Sequence, residues 1–176
     1  LAALALPLSS AHAADWSQLM GERGDRTTAE KAPASLASGA LKKSWEISTG
    51  GGFSSFVTGD GRAYTVVQSS AGGERRETVL AVDHQTGKKI WEAPFAVAAY
   101  RNGGDKGTPA NRGGDGPRST PAFSAGRVFV LGGKFDLHAL DAATGKVLWE
   151  HDLMAEFGAR DIPWSSAAAP VVRSEE

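Results

Sequence analysis

A twelve-residue pattern occurs twice in this chain, and that repetition constrains the fold more than any local feature. Ala81-Val82-Asp83-His84-Gln85-Thr86-Gly87-Lys88-Lys89-Ile90-Trp91-Glu92 lies over Ala139-Leu140-Asp141-Ala142-Ala143-Thr144-Gly145-Lys146-Val147-Leu148-Trp149-Glu150, 58 positions later, with seven of twelve residues identical. Upstream, Gly61-Arg62-Ala63-Tyr64-Thr65-Val66 matches Gly126-Arg127-Val128-Phe129-Val130-Leu131 at an offset of 65. A repeat of this period signals units that bury their apolar faces by stacking on one another. The unequal offsets place a seven-residue difference between the two patches, and Ser70 to Arg76 reads as the loop that holds it.

Each unit reads as short strands separated by turns. Ala122-Phe123, Val128 to Leu131, Leu137 to Leu140 and Lys146 to Glu150 alternate with turns at Ser124-Ala125-Gly126, Gly132-Gly133-Lys134 and Asp141 to Gly145. Four such strands form one antiparallel meander. Several are apolar almost throughout, as expected when both faces of a sheet are covered by neighbouring sheets. The recurring turn has its own chemistry. Asp83 and Asp141 can accept from a backbone N–H two residues on, Thr86 and Thr144 tie the loop from its other end, and Gly87 and Gly145 supply a positive φ. Trp91 and Trp149 follow each glycine by four residues, and each brings about 150–250 Å² to bury. A β-sandwich also uses short strands and turns, but it has no need of one turn and one Trp in every unit.

Charge narrows the partners. Nineteen Lys and Arg are scattered among 20 Asp and Glu for a net charge of −1, so nothing concentrates positive potential for nucleic acid or an anionic membrane. Cysteine is absent, which removes disulfides, thiolate metal sites, a Cys nucleophile, covalent haem and an N-terminal lipid anchor from this span. Leu1 to Leu8 is apolar and is followed by Ala11-His12-Ala13, a small-x-small cleavage pattern. The run is too short to span a bilayer and reads as a signal peptide entered partway through its apolar region. The expected organisation is a truncated signal peptide over 1–13, a lead-in over 14–40, and repeats over 41–176.

The two patches, Ala81-x-Asp83-x-x-Thr86-Gly87-x-x-x-Trp91 and Ala139-x-Asp141-x-x-Thr144-Gly145-x-x-x-Trp149, resemble the tryptophan-docking motif of the pyrroloquinoline quinone (PQQ) type β-propeller repeats. The resemblance runs over roughly Trp45 to Val172. Trp16-Ser17-Gln18 with Gly21 is similar to a lead-in common in that family, and Asp115 to Pro121 to a segment preceding its inner strands. It implies an all-β fold, here a partial propeller of about two four-stranded blades. Ser165 to Val172 would begin a third, Pro170 corresponding to Pro121. In such a fold the Trp packs between blades, near the Ala of the adjacent motif.

The family includes quinoprotein dehydrogenases and the propeller lipoprotein of outer-membrane β-barrel assembly. The resemblance therefore implies an exported protein, periplasmic or secreted. Its first expected role is a binding or scaffold module, with a protein partner or small ligand on the propeller face and an envelope-assembly role within reach. The alternative is a PQQ-dependent alcohol or sugar dehydrogenase, with PQQ and calcium as cofactors; a glycan-binding or glycan-cleaving propeller rests on fold analogy alone. No catalytic residues are nameable. Asp115, Arg118 and Ser119, at the end of the long connection from Pro94 to Arg118, are the ligand candidates. Ser54, Ser55 and Thr120 at corresponding positions read as packing residues near the axis, since no His and acid partner accompanies them. His12, His84, His138 and His151 show no metal-ligand spacing.

Overall fold

The structure is a computed structural model that describes residues 15–31, 42–71, 73–98, 116–160 and 165–173. The reading of residues 1–13 as a signal peptide lies outside the described residues. Apart from one short helix, the regular structure of the described residues is two four-stranded antiparallel sheets, and the fold is all-β: a partial propeller. The first blade is β1 (Val57–Gly59), β2 (Arg62–Ala71), β3 (Glu74–Asp83) and β4 (Lys89–Val97), paired in sequence order. The second is β5 (Ala122–Ser124), β6 (Arg127–Leu131), β7 (Asp136–Asp141) and β8 (Val147–Asp152), paired in the same way. Equivalent residues hold equivalent register: Tyr64 faces Ala81 as Phe129 faces Ala139, and Ala81 faces Trp91 as Ala139 faces Trp149.

Burial explains the unbroken apolar strands. Along β3, Val79 and Ala81 pack into a core shared with Val128, Val130 and Leu140 of the second blade. Leu80 and Val82, pointing to the other face, pack with Ala63 against Trp45 and Ile47. One strand therefore serves two interfaces, and a period-2 pattern disappears because both of its phases are apolar.

The first blade departs from expectation between its second and third strands. Ser70 to Arg76 is not a loop: β2 and β3 pair through Ser70 with Arg75 and Ala71 with Glu74, so the extra residues lengthen a hairpin. Side-chain pairs across and along the ladder support it, with the hydroxyls of Ser69 and Thr78 2.5 Å apart and Arg76 3.0 Å from Glu74. Likewise β4 continues through Pro94, so the long connection begins after Val97 rather than at Pro94. Pro94 is tolerated because β4 is the outer edge of its sheet.

After β8 comes a single turn of helix, α1 (Leu153–Phe157), with the Asp152 carboxylate accepting from the N–H groups of Met154 and Ala155 and with Gly158 closing it in the left-handed region. Residues 165–173 lie beside the second blade: Ser166 N–H donates to Gly133 O, and Ser119 Oγ donates to Ala168 O. These residues stand where the sequence places the start of a third blade, and among the described residues they form no strand.

Candidate functional site

The repeated turns are built as their chemistry requires. The Asp83 carboxylate accepts from the Thr86 hydroxyl at 2.7 Å, from Thr86 N–H at 2.8 Å and from Gln85 N–H at 3.1 Å. Asp141 accepts from the Thr144 hydroxyl at 2.6 Å and from its N–H at 2.8 Å. These bonds, the threonine hydroxyl first and the threonine N–H second, hold both carboxyls below the usual Asp range. Gly87 and Gly145 close the turns at φ +69° and +75°, where a side chain would be strained.

Each glycine lies beneath an indole from the preceding unit. A Cβ placed on Gly145 would stand 2.7 Å from Cε3 of Trp91, and one on Gly87 would stand 2.5 Å from Cε3 of Trp45. The Trp91 indole N–H donates to Ala142 O at 3.1 Å, and the Trp45 indole N–H donates to His84 O at 3.0 Å. His84 and Ala142 hold the same position in their turns. Tyr64 also reaches Ala142 O, at 3.3 Å, and burial pushes its phenol up to about 12. The motif residues Ala81 and Ala139 stand opposite the Trp of their own blade. Within the next motif, the groups that receive Trp91 are Gly145 and the Ala142 carbonyl.

Trp45 marks the start of the resemblance in the sequence, but its docking role is not assigned there. Lys42-Lys43-Ser44-Trp45-Glu46 repeats Lys88-Lys89-Ile90-Trp91-Glu92, yet no Asp-x-x-Thr-Gly turn precedes it. Trp149 completes the series with its outer face uncovered. It is 37% exposed, and the rings that pack beside it, Phe129 and His151, belong to its own sheet.

The small polar residues near the first strand of each blade make bonds between blades. Thr120 Oγ1 accepts from Ser55 N–H at 3.1 Å, while Ser119 Oγ donates to Ala168 O at 2.6 Å. Ser119 and Thr120 are each 3% exposed. Ser54 Oγ stays within its own blade and accepts from Val66 N–H. Of the ligand candidates, Arg118 places its guanidinium 5.8 Å from the centre of the Phe53 ring, Ser119 is buried beside it in sequence, and Asp115 lies outside the described residues. His84 carries a turn carbonyl, and His138 is buried in β7, where loss of solvent lowers its pKa against the pull of Glu150 and Asp136. Among the described residues no three of His, Asp and Glu gather where they could hold a metal ion.

Strands paired in sequence order, two equivalent sheets packed face to face and a Trp-over-Gly contact between them define a β-propeller repeat protein. Over residues 75–175 the chain matches the family described as outer membrane protein assembly factor BamB, a PQQ-repeat family, and it belongs to that family. The solved structures it is similar to include two dehydrogenases and BamB. Quinohemoprotein alcohol dehydrogenase from Comamonas testosteroni is 26% identical at a TM-score of 0.38, over 62% of this chain and 14% of that one. A europium-containing methanol dehydrogenase is 20% identical at 0.37, over 55% and 14%. BamB from Moraxella catarrhalis is 18% identical at 0.31, over 58% and 36%. The chain thus spans a minor part of each of these proteins, and no curated protein matches it.

Proposed function

We propose that this chain is part of an exported propeller that acts as a binding or scaffold module in envelope protein assembly, its repeated tryptophans docking blade to blade. Family membership supports the reading. The single observation that carries it is how the repeat spends its chemistry: the Asp-Thr-Gly turn and the Trp go into joining one blade to the next, as Trp91 joins Gly145 and Ala142. The Ser119 hydroxyl does the same with Ala168. A ring held in this way presents loops on a rigid frame, which is all that a scaffold requires. The partner is then a protein or small ligand on the propeller face, with Arg118 at the mouth opposite the Asp-Thr-Gly turns.

Two measurements on the full-length protein test this. Disrupting the gene is expected to lower the amount of folded outer-membrane β-barrel protein in the cell. Titration with PQQ and calcium is expected to give no saturable binding and no dye reduction with alcohols. Cofactor binding with turnover, and unchanged barrel levels, would replace the scaffold with a quinoprotein dehydrogenase.

A further inference from the structure

The lead-in contacts the first strand of both described blades and the equivalent stretch that follows them. Thr58 in β1, Phe123 in β5 and Val172 in the third unit are equivalent positions, placed by the alignment of Pro121 with Pro170 and by the offset of 65. Thr58 N–H donates to Trp16 O at 2.9 Å, and Phe123 N–H donates to Ser17 O at 2.7 Å. Val172 N–H donates to the side-chain carbonyl of Gln18 at 3.3 Å. Three consecutive residues thus serve three successive repeat units, one each.

The Thr58 and Phe123 N–H groups lie on the free edges of β1 and β5, turned away from β2 and β6, and the backbones of the two sheets come together at β1 and β5. The edges are therefore the ones that face the axis. Such an edge leaves unpaired donors in a crowded place, at a cost unless something accepts from them. The lead-in does so, and it is fixed in turn. Trp16 N–H donates to Thr58 Oγ1 at 2.7 Å, the Trp16 ring lies against Gly21, and Gln18 donates from its amide to Glu22 O. Gln18 is buried with both ends of its side chain engaged.

We propose that residues 15–18 form a strap across one mouth of the channel, tying successive blades together at their axial edges. The strap lies at the end where the Asp-Thr-Gly turns are: Thr58 and Phe123 immediately precede the turns at Asp60-Gly61 and Ala125-Gly126, whose glycine carbonyls accept from His84 and Ala142 N–H. Ser55, Ser119 and Thr120 are at the other end. A ligand or partner of the channel then approaches from that other end, because the strap occupies this one.

Amide hydrogen exchange on the full-length protein tests the strap. Thr58 and Phe123 N–H are expected to be protected, and deletion of residues 15–31 is expected to speed their exchange by at least tenfold while Val79 N–H, between β2 and β4, stays slow. Equal rates with and without the segment would overturn the proposal. If the deletion unfolds the ring, Gln18→Ala decides. It is expected to speed exchange at Val172 alone, leaving Thr58 and Phe123 as they were, and an unchanged Val172 would overturn the proposal.

Discussion

The six-membered ring of Trp91 covers Gly145 of the following blade so closely that even a methyl group there would meet it at 2.7 Å. Gly145→Ala is therefore expected to cost about 2–4 kcal/mol in the closed ring, combining left-handed backbone strain with displacement of the indole. Gly126→Ala is the control. It has a φ of +71° with nothing within 4 Å of the added methyl, so it should cost only the backbone share, about 1–2 kcal/mol. Urea denaturation of both variants gives the difference.

Acid should loosen the turns before the sheets. Asp83 and Asp141 have carboxyls held below their ordinary value by the Thr86 and Thr144 hydroxyls. A carboxyl depressed on folding contributes stability above its unfolded pKa and loses that contribution as pH falls through the folded one. Urea midpoints of the native protein should therefore drop below about pH 4. The Asp83→Asn and Asp141→Asn double variant should start lower and show a shallower fall.

Asp136 runs the other way. Burial raises its carboxyl, partly offset by His138, with Asp152 and Glu150 adding to the rise. Its contribution is full below the ordinary carboxyl range and is lost as pH rises through the raised value. Asp136→Asn should accordingly stabilise the protein at neutral pH and lose that advantage in acid, as paired melts at the two pH values would show.

Uncovered blade faces should bring copies of the 176-residue chain together. Leu148 and Trp149 on β8 and Val171 in the third unit are exposed, and an open apolar sheet with free edges recruits partners. The 176-residue chain by itself is expected to sediment as aggregates or to remain partly unfolded. Replacing Leu148 and Trp149 with Lys should raise the monomer fraction; a cooperative thermal transition from a native monomer would contradict the expectation.

What was legible in the sequence follows from which groups carry the bonds. Asp83, Thr86, Gly87 and Trp91 act through side chains or through a φ that only glycine adopts readily, and their repetition 58 residues later exposed the blade. Trp45 acts in the same way but stands without the turn that flags the motif. Trp16-Ser17-Gln18 is legible as a lead-in but not as a strap, because carbonyls of Trp16 and Ser17 make two of its three bonds and every residue type has a carbonyl. The β2–β3 hairpin was misread because Ser, Gly and charged residues favour loops, while ladder bonds and cross-strand pairs carry it into strand. Helix α1, at five residues, is too short to show a period; Asp152 and Gly158 were its only signals. As for the ligand candidates, Ser119 turned inward and Arg118 lay over Phe53, which the order of residues alone does not determine.

A double-mutant cycle between Trp91 and Gly145 tests the central claim most directly, because 54 positions separate the two in sequence and only the packing of blade on blade brings them together. With Trp91→Ala, Gly145→Ala and the double variant measured in the full-length ring, a coupling of about 1–2 kcal/mol is expected, since removing the indole relieves the clash that the new methyl creates. Strict additivity, within about 0.3 kcal/mol, would mean that the two residues do not meet and that these sheets are not consecutive blades of a propeller.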